Sequence, residues 1–188
     1  MSSLTIRRAR DEDASAVVRL TRENLLGALP ESARADGFLS IAMTEEDVRE
    51  ANRSVAVLVA ERASHLVGCL CATRDEWSAR FPLIRQMQSL YPTTPFLGRP
   101  ISSWRRFVYG PVCVEREARG SGVLEGLFAG LLDQVAGRYD LGTAFADVSN
   151  PRSLQAHVRK LGMQVLRSFE FEGRGYHLMA FAVPSRRP

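Results

Sequence analysis

Val112-Cys113-Val114-Glu115-Arg116-Glu117-Ala118-Arg119-Gly120-Ser121-Gly122-Val123 reads as a buried strand, a tight glycine-bearing loop and the first turn of a helix. The physics of that junction is anion binding. Unpaired N–H groups of the first helical turn converge on one point, glycines allow close approach, and the helix dipole favours negative charge. A pyrophosphate fits such a loop. No Gly-Lys-Ser/Thr follows for a nucleoside triphosphate, and the full Gly-x-Gly-x-x-Gly of a dinucleotide site is missing. An ordinary strand-to-helix turn with glycines is the other reading of the same residues.

Working outward, Leu124, Leu127, Phe128, Leu131, Leu132 and Val135 form a helical stripe, which predicts a helix over 123–138. Phe107 to Val114 is the strand before the loop. Thr143 to Val148 reads as a strand, Ser153 to Leu161 as a helix ending near Gly162, and 164–172 with 176–183 as a final hairpin. Toward the start, Leu4 to Ala9 is a strand and 11–26 a helix. Thr44 with Asp47 is a capping box for a further helix reaching about Asn52. Val55 to Glu61 and Leu66 to Thr73 are the arms of an antiparallel hairpin. Residues 75–106 form an insertion before the next strand; Phe81, Ile84, Met87 and Tyr91 fall at helical spacing, and a Pro-rich stretch follows. The expected fold class is α/β, a central mixed, mostly antiparallel, twisted sheet of about seven strands flanked by helices. The expected organisation is one domain over 1–188, in keeping with a chain of 188 residues.

Composition narrows the function. With 45% apolar and 24% charged residues the chain has the balance of a folded globular domain. No basic segment leads into an apolar run at the start, and no uninterrupted apolar stretch reaches ~18 residues. A soluble, cytoplasmic protein is expected, with no membrane partner. Cys69, Cys71 and Cys113 read as reduced core residues, and no ligand spacing suggests a metal. The net charge of +4 comes from scattered arginines without aromatic interleaving, so it reads as a solvated basic surface, with no nucleic acid as partner. Salt-dependent retention on DNA is the test of that rival reading.

The loop and its surroundings resemble the GCN5-related N-acetyltransferases, the GNAT family. Their signature, Arg/Gln-x-x-Gly-x-Gly/Ala directly after the fourth strand, is matched by Arg119 and Gly122, with Leu124 in place of the last small residue. A second patch, Asn150-Pro151-Arg152-Ser153-Leu154-Gln155-Ala156-His157 followed by Leu161-Gly162-Met163, resembles the family's later motif. With Ile6-Arg7-Arg8-Ala9 near the start, the resemblance spans nearly the whole chain.

The resemblance implies transfer of the acetyl group of acetyl-coenzyme A (acetyl-CoA) directly to an amine, without a metal and without a covalent enzyme intermediate. It implies that the backbone of Val112, Cys113 and Val114 pairs with the pantetheine arm, with the Val114 N–H as oxyanion donor. Arg119, Gly120, Ser121, Gly122, Val123 and Leu124 would hold the pyrophosphate. Asn150 and Ser153 would lie beside the arm, or Asn150 would only cap the following helix. His157, counted forward from Asn150, stands where many relatives carry a tyrosine that protonates the leaving thiolate; counted back from Gly162, Val158 stands there. Packing on the cofactor is the alternative role for His157. Tyr109 and Glu115 lie near the family's bases, as does Asp147, and each has a purely structural alternative. The partner implied is a small-molecule or peptide amine, walled by 29–47 and 75–106, and a homodimer is left open. A non-catalytic acyl-CoA sensor on the same fold is the rival function.

Overall fold

The computed structural model describes residues 3–185. β1 (Leu4–Arg8) passes through a 3-10 turn into α1 (Ala14–Glu23), which buries Ala14, Val17, Val18, Leu20 and Thr21 on one face. After the single turn α2 (Glu31–Arg34), α3 (Glu45–Ser54) begins at the expected capping box. There Thr44 Oγ1 accepts from the Asp47 N–H at 3.2 Å, and Asp47 Oδ2 accepts from the Thr44 N–H at 2.7 Å. β2 (Ala56–Arg62) and β3 (His65–Thr73) form the hairpin, joined by Ala63 and Ser64, both left-handed with φ 50° and 61°. Two successive left-handed residues match the twist of the flanking strands.

Residues 74–105 are ordered by their own apolar side chains. α4 (Asp75–Ser78), α5 (Pro82–Ser89) and the small hairpin of β4 (Pro95–Phe96) with β5 (Arg99–Pro100) bury Leu83, Ile84, Met87, Tyr91, Phe96 and Ile101 in one cluster. That cluster also holds Val108 and Leu141, which docks the insertion on the sheet. Then come β6 (Arg106–Val114), α6 (Val123–Val135), β7 (Leu141–Asp147), α7 (Pro151–Leu161), β8 (Gln164–Phe171) and β9 (Arg174–Ala182). α6 stops at Val135 rather than Arg138, because Ala136 leaves the helix and Gly137 takes φ 78°.

The main sheet has the strand order β1-β2-β3-β6-β7-β9-β8. Every neighbouring pair is antiparallel except β6 with β7. This is the mixed, mostly antiparallel α/β sheet expected. α6 and α7 cover one face, where Leu127, Leu131 and Val135 pack on Leu58, Leu70, Phe107 and Phe181. α1 and α3 cover the other face over Val57, Val59, Cys69 and Cys71. Gly68 lets the start of α6 approach β3, since a Cβ there would sit 2.8 Å from Val123 Cγ1.

Two irregularities in β6 create the site. Its parallel pairing with β7 covers only Arg106↔Leu141, Phe107↔Gly142 and Val108↔Thr143, after which the strands part. On its other edge the register runs from Ala72↔Tyr109 to Leu70↔Val112, so Gly110 and Pro111 together oppose the one residue Cys71. This bulge shifts the strand's alternation. Tyr109, Val112 and Val114 therefore share the α6/α7 face, while Cys113 packs under α1.

Candidate functional site

Where β6 and β7 part, a cleft of about 440 Å³ passes through the sheet. It is lined from the α6/α7 side by Tyr109, Ala118 to Gly120, Leu124, Ser153, Ala156 and His157. From the opposite side it is lined by Gly37 to Ile41, Trp77, Phe81, Ile84, Val108 and Phe145. Both segments expected as walls, 29–47 and 75–106, thus contribute to it.

The β6 edge facing the cleft has no strand partner beyond Val108 among the described residues. Successive N–H groups along a strand point to opposite edges. The Glu115 N–H bonds to Val67 O of the neighbouring strand β3 at 2.8 Å, which directs the Val114 N–H to the open edge. The loop after β6 offers a second set of donors. Among the described residues, none of the N–H groups from Gly120 to Glu125 reaches a backbone carbonyl, and the first helical bond is Gly126 N–H to Gly122 O at 2.9 Å. Gly120 and Gly122 have φ 78° and 84°, and a Cβ built on either meets no atom within 4 Å. A concave set of free N–H groups at a helix start, with open space before it, fits a phosphate-bearing group.

The side chain of Arg119 is engaged within the protein. Its Nε donates to Val114 O at 3.0 Å, Nη1 to Asp36 O at 2.7 Å and Nη2 to Asn24 Oδ1 at 3.0 Å. It ties the loops after α1 and α2 to the end of β6, and its backbone N–H is taken by Arg116 O at 3.3 Å. Arg119→Ala is expected to lower unfolding stability by ~2 kcal/mol, as loss of charged-donor hydrogen bonds does. Arg119→Lys, lacking the planar fork, should recover little of it; chemical denaturation of the three proteins measures this.

Asn150 is the N-cap of α7. Its Oδ1 accepts from the Ser153 N–H at 3.2 Å and its Nδ2 donates to Phe38 O at 2.9 Å, so the capping reading holds and the amide also fixes a cleft wall. Asp147 is saturated. Oδ1 accepts from Ser149 N and Oγ at 2.8 and 2.7 Å, Oδ2 from Arg174 Nε and Nη2 at 2.9 and 2.6 Å, which leaves no lone pair suited to a base. Glu115 does not reach the cleft. Beyond Val114 the chain enters a 3-10 turn, and the carboxylate meets His65 Nε2 at 3.1 Å on the outer end of β3. Cys113 lines the cleft, but burial pushes its thiol up to about 12, so it is no nucleophile at neutral pH.

His157, not Val158, faces inward: it is buried, while Val158 is exposed. Its Nδ1 lies 2.7 Å from the carbonyl of Ser153. A carbonyl only accepts, so Nδ1 carries the proton. Burial pulls the imidazole's pKa below its ordinary value, with the Ser153 bond opposing weakly, and the ring stays neutral with a bare Nε2. That is the opposite protonation from the one a proton donor at Nε2 needs. The stability consequence has a definite sign: a group whose pKa is depressed on folding loses its contribution as pH falls through the unfolded value near 6.5. The unfolding free energy, measured by chemical denaturation, should therefore drop between pH 7 and 5.5 at a slope of up to about 1.4 kcal/mol per pH unit, and His157→Leu should flatten that part of the curve.

Tyr109, at the start of the open β6 edge, is enclosed by aromatic rings. Its ring meets Phe128, His157 and Phe181 edge to face at centroid distances of 6.1, 5.5 and 5.8 Å. Its hydroxyl is buried without a hydrogen-bond partner among the described residues. Burial pushes the phenol well above its usual range, so it stays protonated. Tyr109 lines the cleft, and a buried hydroxyl without a partner there calls for an explanation.

No protein-family profile matches this sequence, and no curated protein matches it. Solved structures do. An N-acetyltransferase from Staphylococcus aureus Mu50 is 15% identical, with a TM-score of 0.64 over 97% of this chain and 100% of that one. The protein yncA of Salmonella typhimurium, solved with its cofactor acetyl-CoA, is 17% identical, with a TM-score of 0.65 over 100% of this chain and 98% of that one. An acetyltransferase of the GNAT family from Streptococcus pneumoniae is 15% identical, with a TM-score of 0.60 over 97% and 100%. The fold is therefore that of the GCN5-related N-acetyltransferases.

Proposed function

We propose that the chain is an N-acetyltransferase of the GNAT family that moves the acetyl group of acetyl-CoA directly to an amine. The observation that carries this is the juxtaposition of the β6 edge at 109–114, unpaired among the described residues, with the glycine loop that lines the same cleft at Gly120 and Leu124 and whose N–H groups reach no backbone carbonyl. The fold supports the same reading. Acetyl-CoA, when bound, supplies an acetyl carbon activated as a thioester. The transfer forms a C–N bond and breaks a C–S bond; nitrogen gives up one proton and sulfur takes one, leaving an amide and a thiol.

The chain's own groups divide that work. The N–H groups from Gly120 to Leu124, those of Ser121 and Val123 included, hold the pyrophosphate, and the open edge at Val112 to Val114 pairs with the pantetheine arm. The Val114 N–H, aimed into the cleft, stabilises negative charge on the carbonyl oxygen. Ser153 and the neutral His157 form the wall beside the arm. The protonated Tyr109 hydroxyl is the hydrogen-bond and proton donor to the departing sulfur. The amine loses its proton to water, because Glu115 lies outside the cleft and Asp147 is tied to Arg174.

That last observation also favours the rival, an acyl-CoA sensor, since no lining carboxylate is free to act as a base. Calorimetry with acetyl-CoA followed by amine-dependent thiol release separates the two. Binding with turnover supports the transferase, and binding without turnover for any amine supports the sensor.

A further inference from the structure

The cleft wall opposite α6 and α7 is largely apolar. Phe38, Ile41, Trp77, Phe81, Ile84 and Phe145 all line it. Trp77 is held in place: its indole N–H donates to Glu50 Oε2 at 3.0 Å, and one ring face is already covered by the Arg80 guanidinium, 3.9 Å from the centroid. Arg80 is in turn anchored on Glu50 at 2.8 Å and on Asp47. The indole face is therefore not free to receive a ligand's cation on that side.

The carboxylates around the cleft are committed as well. Asp36 pairs with Arg116 at 2.9 Å and Arg152 at 2.7 Å, Glu125 with Lys160 at 3.0 Å, and Asp147 with Arg174 at 2.6 Å. The lining cations Arg119, Arg152, Arg159 and Lys160 outnumber the lining acids. A ligand bearing several ammonium groups would strand its extra charges against phenyl and isoleucyl surface, or beside arginines. An unpaired charge out of water is strongly disfavoured. A single amine on an apolar body meets no such penalty. The dry wall even helps, since desolvation lowers the amine's pKa and raises its neutral, nucleophilic fraction.

We propose that the acceptor class is a monoamine with an aromatic or branched aliphatic body, and that Trp77, Phe81 and Ile84 select it over polycationic amines. This deepens the acetyltransferase reading and rests on it. The test uses 2-phenylethylamine, ethylamine and spermidine, each titrated calorimetrically into the protein saturated with coenzyme A and each assayed for thiol release with acetyl-CoA. The expected result is a kcat/KM for 2-phenylethylamine at least ~30-fold above ethylamine, as filling an apolar pocket gives, with spermidine no better than ethylamine. Phe81→Glu, at a half-buried position, should cut the 2-phenylethylamine value by ~30-fold or more and improve spermidine, with acetyl-CoA affinity unchanged. A folded Phe81→Ala, checked by thermal melting, should lower the preference for 2-phenylethylamine in the same direction. Turnover with equal values for the three amines, or with spermidine preferred, overturns the acceptor assignment and leaves the transferase standing. Selective binding of 2-phenylethylamine without thiol release upholds the apolar wall and overturns the transferase.

Discussion

Gly122→Asp is expected to raise the dissociation constant of acetyl-CoA by ~100-fold or more while the protein stays folded. Gly122 is the N-cap of α6 in the left-handed region, φ 84°, and a Cβ there meets no atom within 4 Å, so the new side chain has room. It would set a carboxylate among the free N–H groups that the proposed site offers to a pyrophosphate. Two unit charges about 4 Å apart at a partly solvated surface repel by ~4 kcal/mol, of which salt screens a part. The left-handed backbone adds a separate cost of about 1 kcal/mol to folding for any residue with a Cβ. Gly122→Ala isolates that second effect. It should lower the melting temperature by a few degrees and shift acetyl-CoA affinity by less than ~5-fold. Calorimetry on both variants decides the matter, and a folded Gly122→Asp with parental affinity would refute the phosphate site.

What could be read beforehand follows from which interactions are local. The strand, glycine loop and helix at 112–135 are written in a period-2 run, two glycines and a helical stripe, and the structure follows them. The Thr44–Asp47 capping box is equally local, its two bonds closing within four residues. Glu115 and Tyr109 show the limit. Simple alternation along β6 puts 109, 113 and 115 on one face, but the bulge at Gly110 and Pro111 moves Tyr109 to the face opposite Cys113. A Gly-Pro step inside an apolar run was the available sign of it. Arg119 reads as part of an anion loop from a local pattern, whereas its side-chain acceptors, Asp36 and Asn24, lie 83 and 95 residues away, beyond any such pattern. The apolar wall was invisible for the same reason. Phe38, Trp77 and Phe145 come from three unconnected segments and meet only because β6 and β7 part. The tautomer of His157 was out of reach too, since it depends on the ring nitrogen finding the Ser153 carbonyl one helical turn back.

Tyr109→Phe should separate stability from activity in opposite directions. The Tyr109 hydroxyl is buried and makes no hydrogen bond among the described residues, so the folded protein bears its desolvation with nothing in return, a cost of about 1–3 kcal/mol. Removing it should hold the melting temperature or raise it by a few degrees. The ring packing on Phe128, His157 and Phe181 is preserved by phenylalanine, so acetyl-CoA affinity should change little. The maximal rate is expected to fall by ~100-fold, the range a positioned proton donor contributes, because the donor acts on the sulfur only as the C–S bond breaks. Since burial raises the phenol's pKa, its proton is retained through the whole neutral range. The parent's rate should therefore show no loss up to about pH 10, the ordinary phenol value. A Tyr109→Phe protein that is no less stable, binds acetyl-CoA as the parent does and turns over within a few-fold of it would remove Tyr109 from the chemistry. Water entering between β6 and β7 would then be the donor, and the orphaned hydroxyl would be a ligand contact alone.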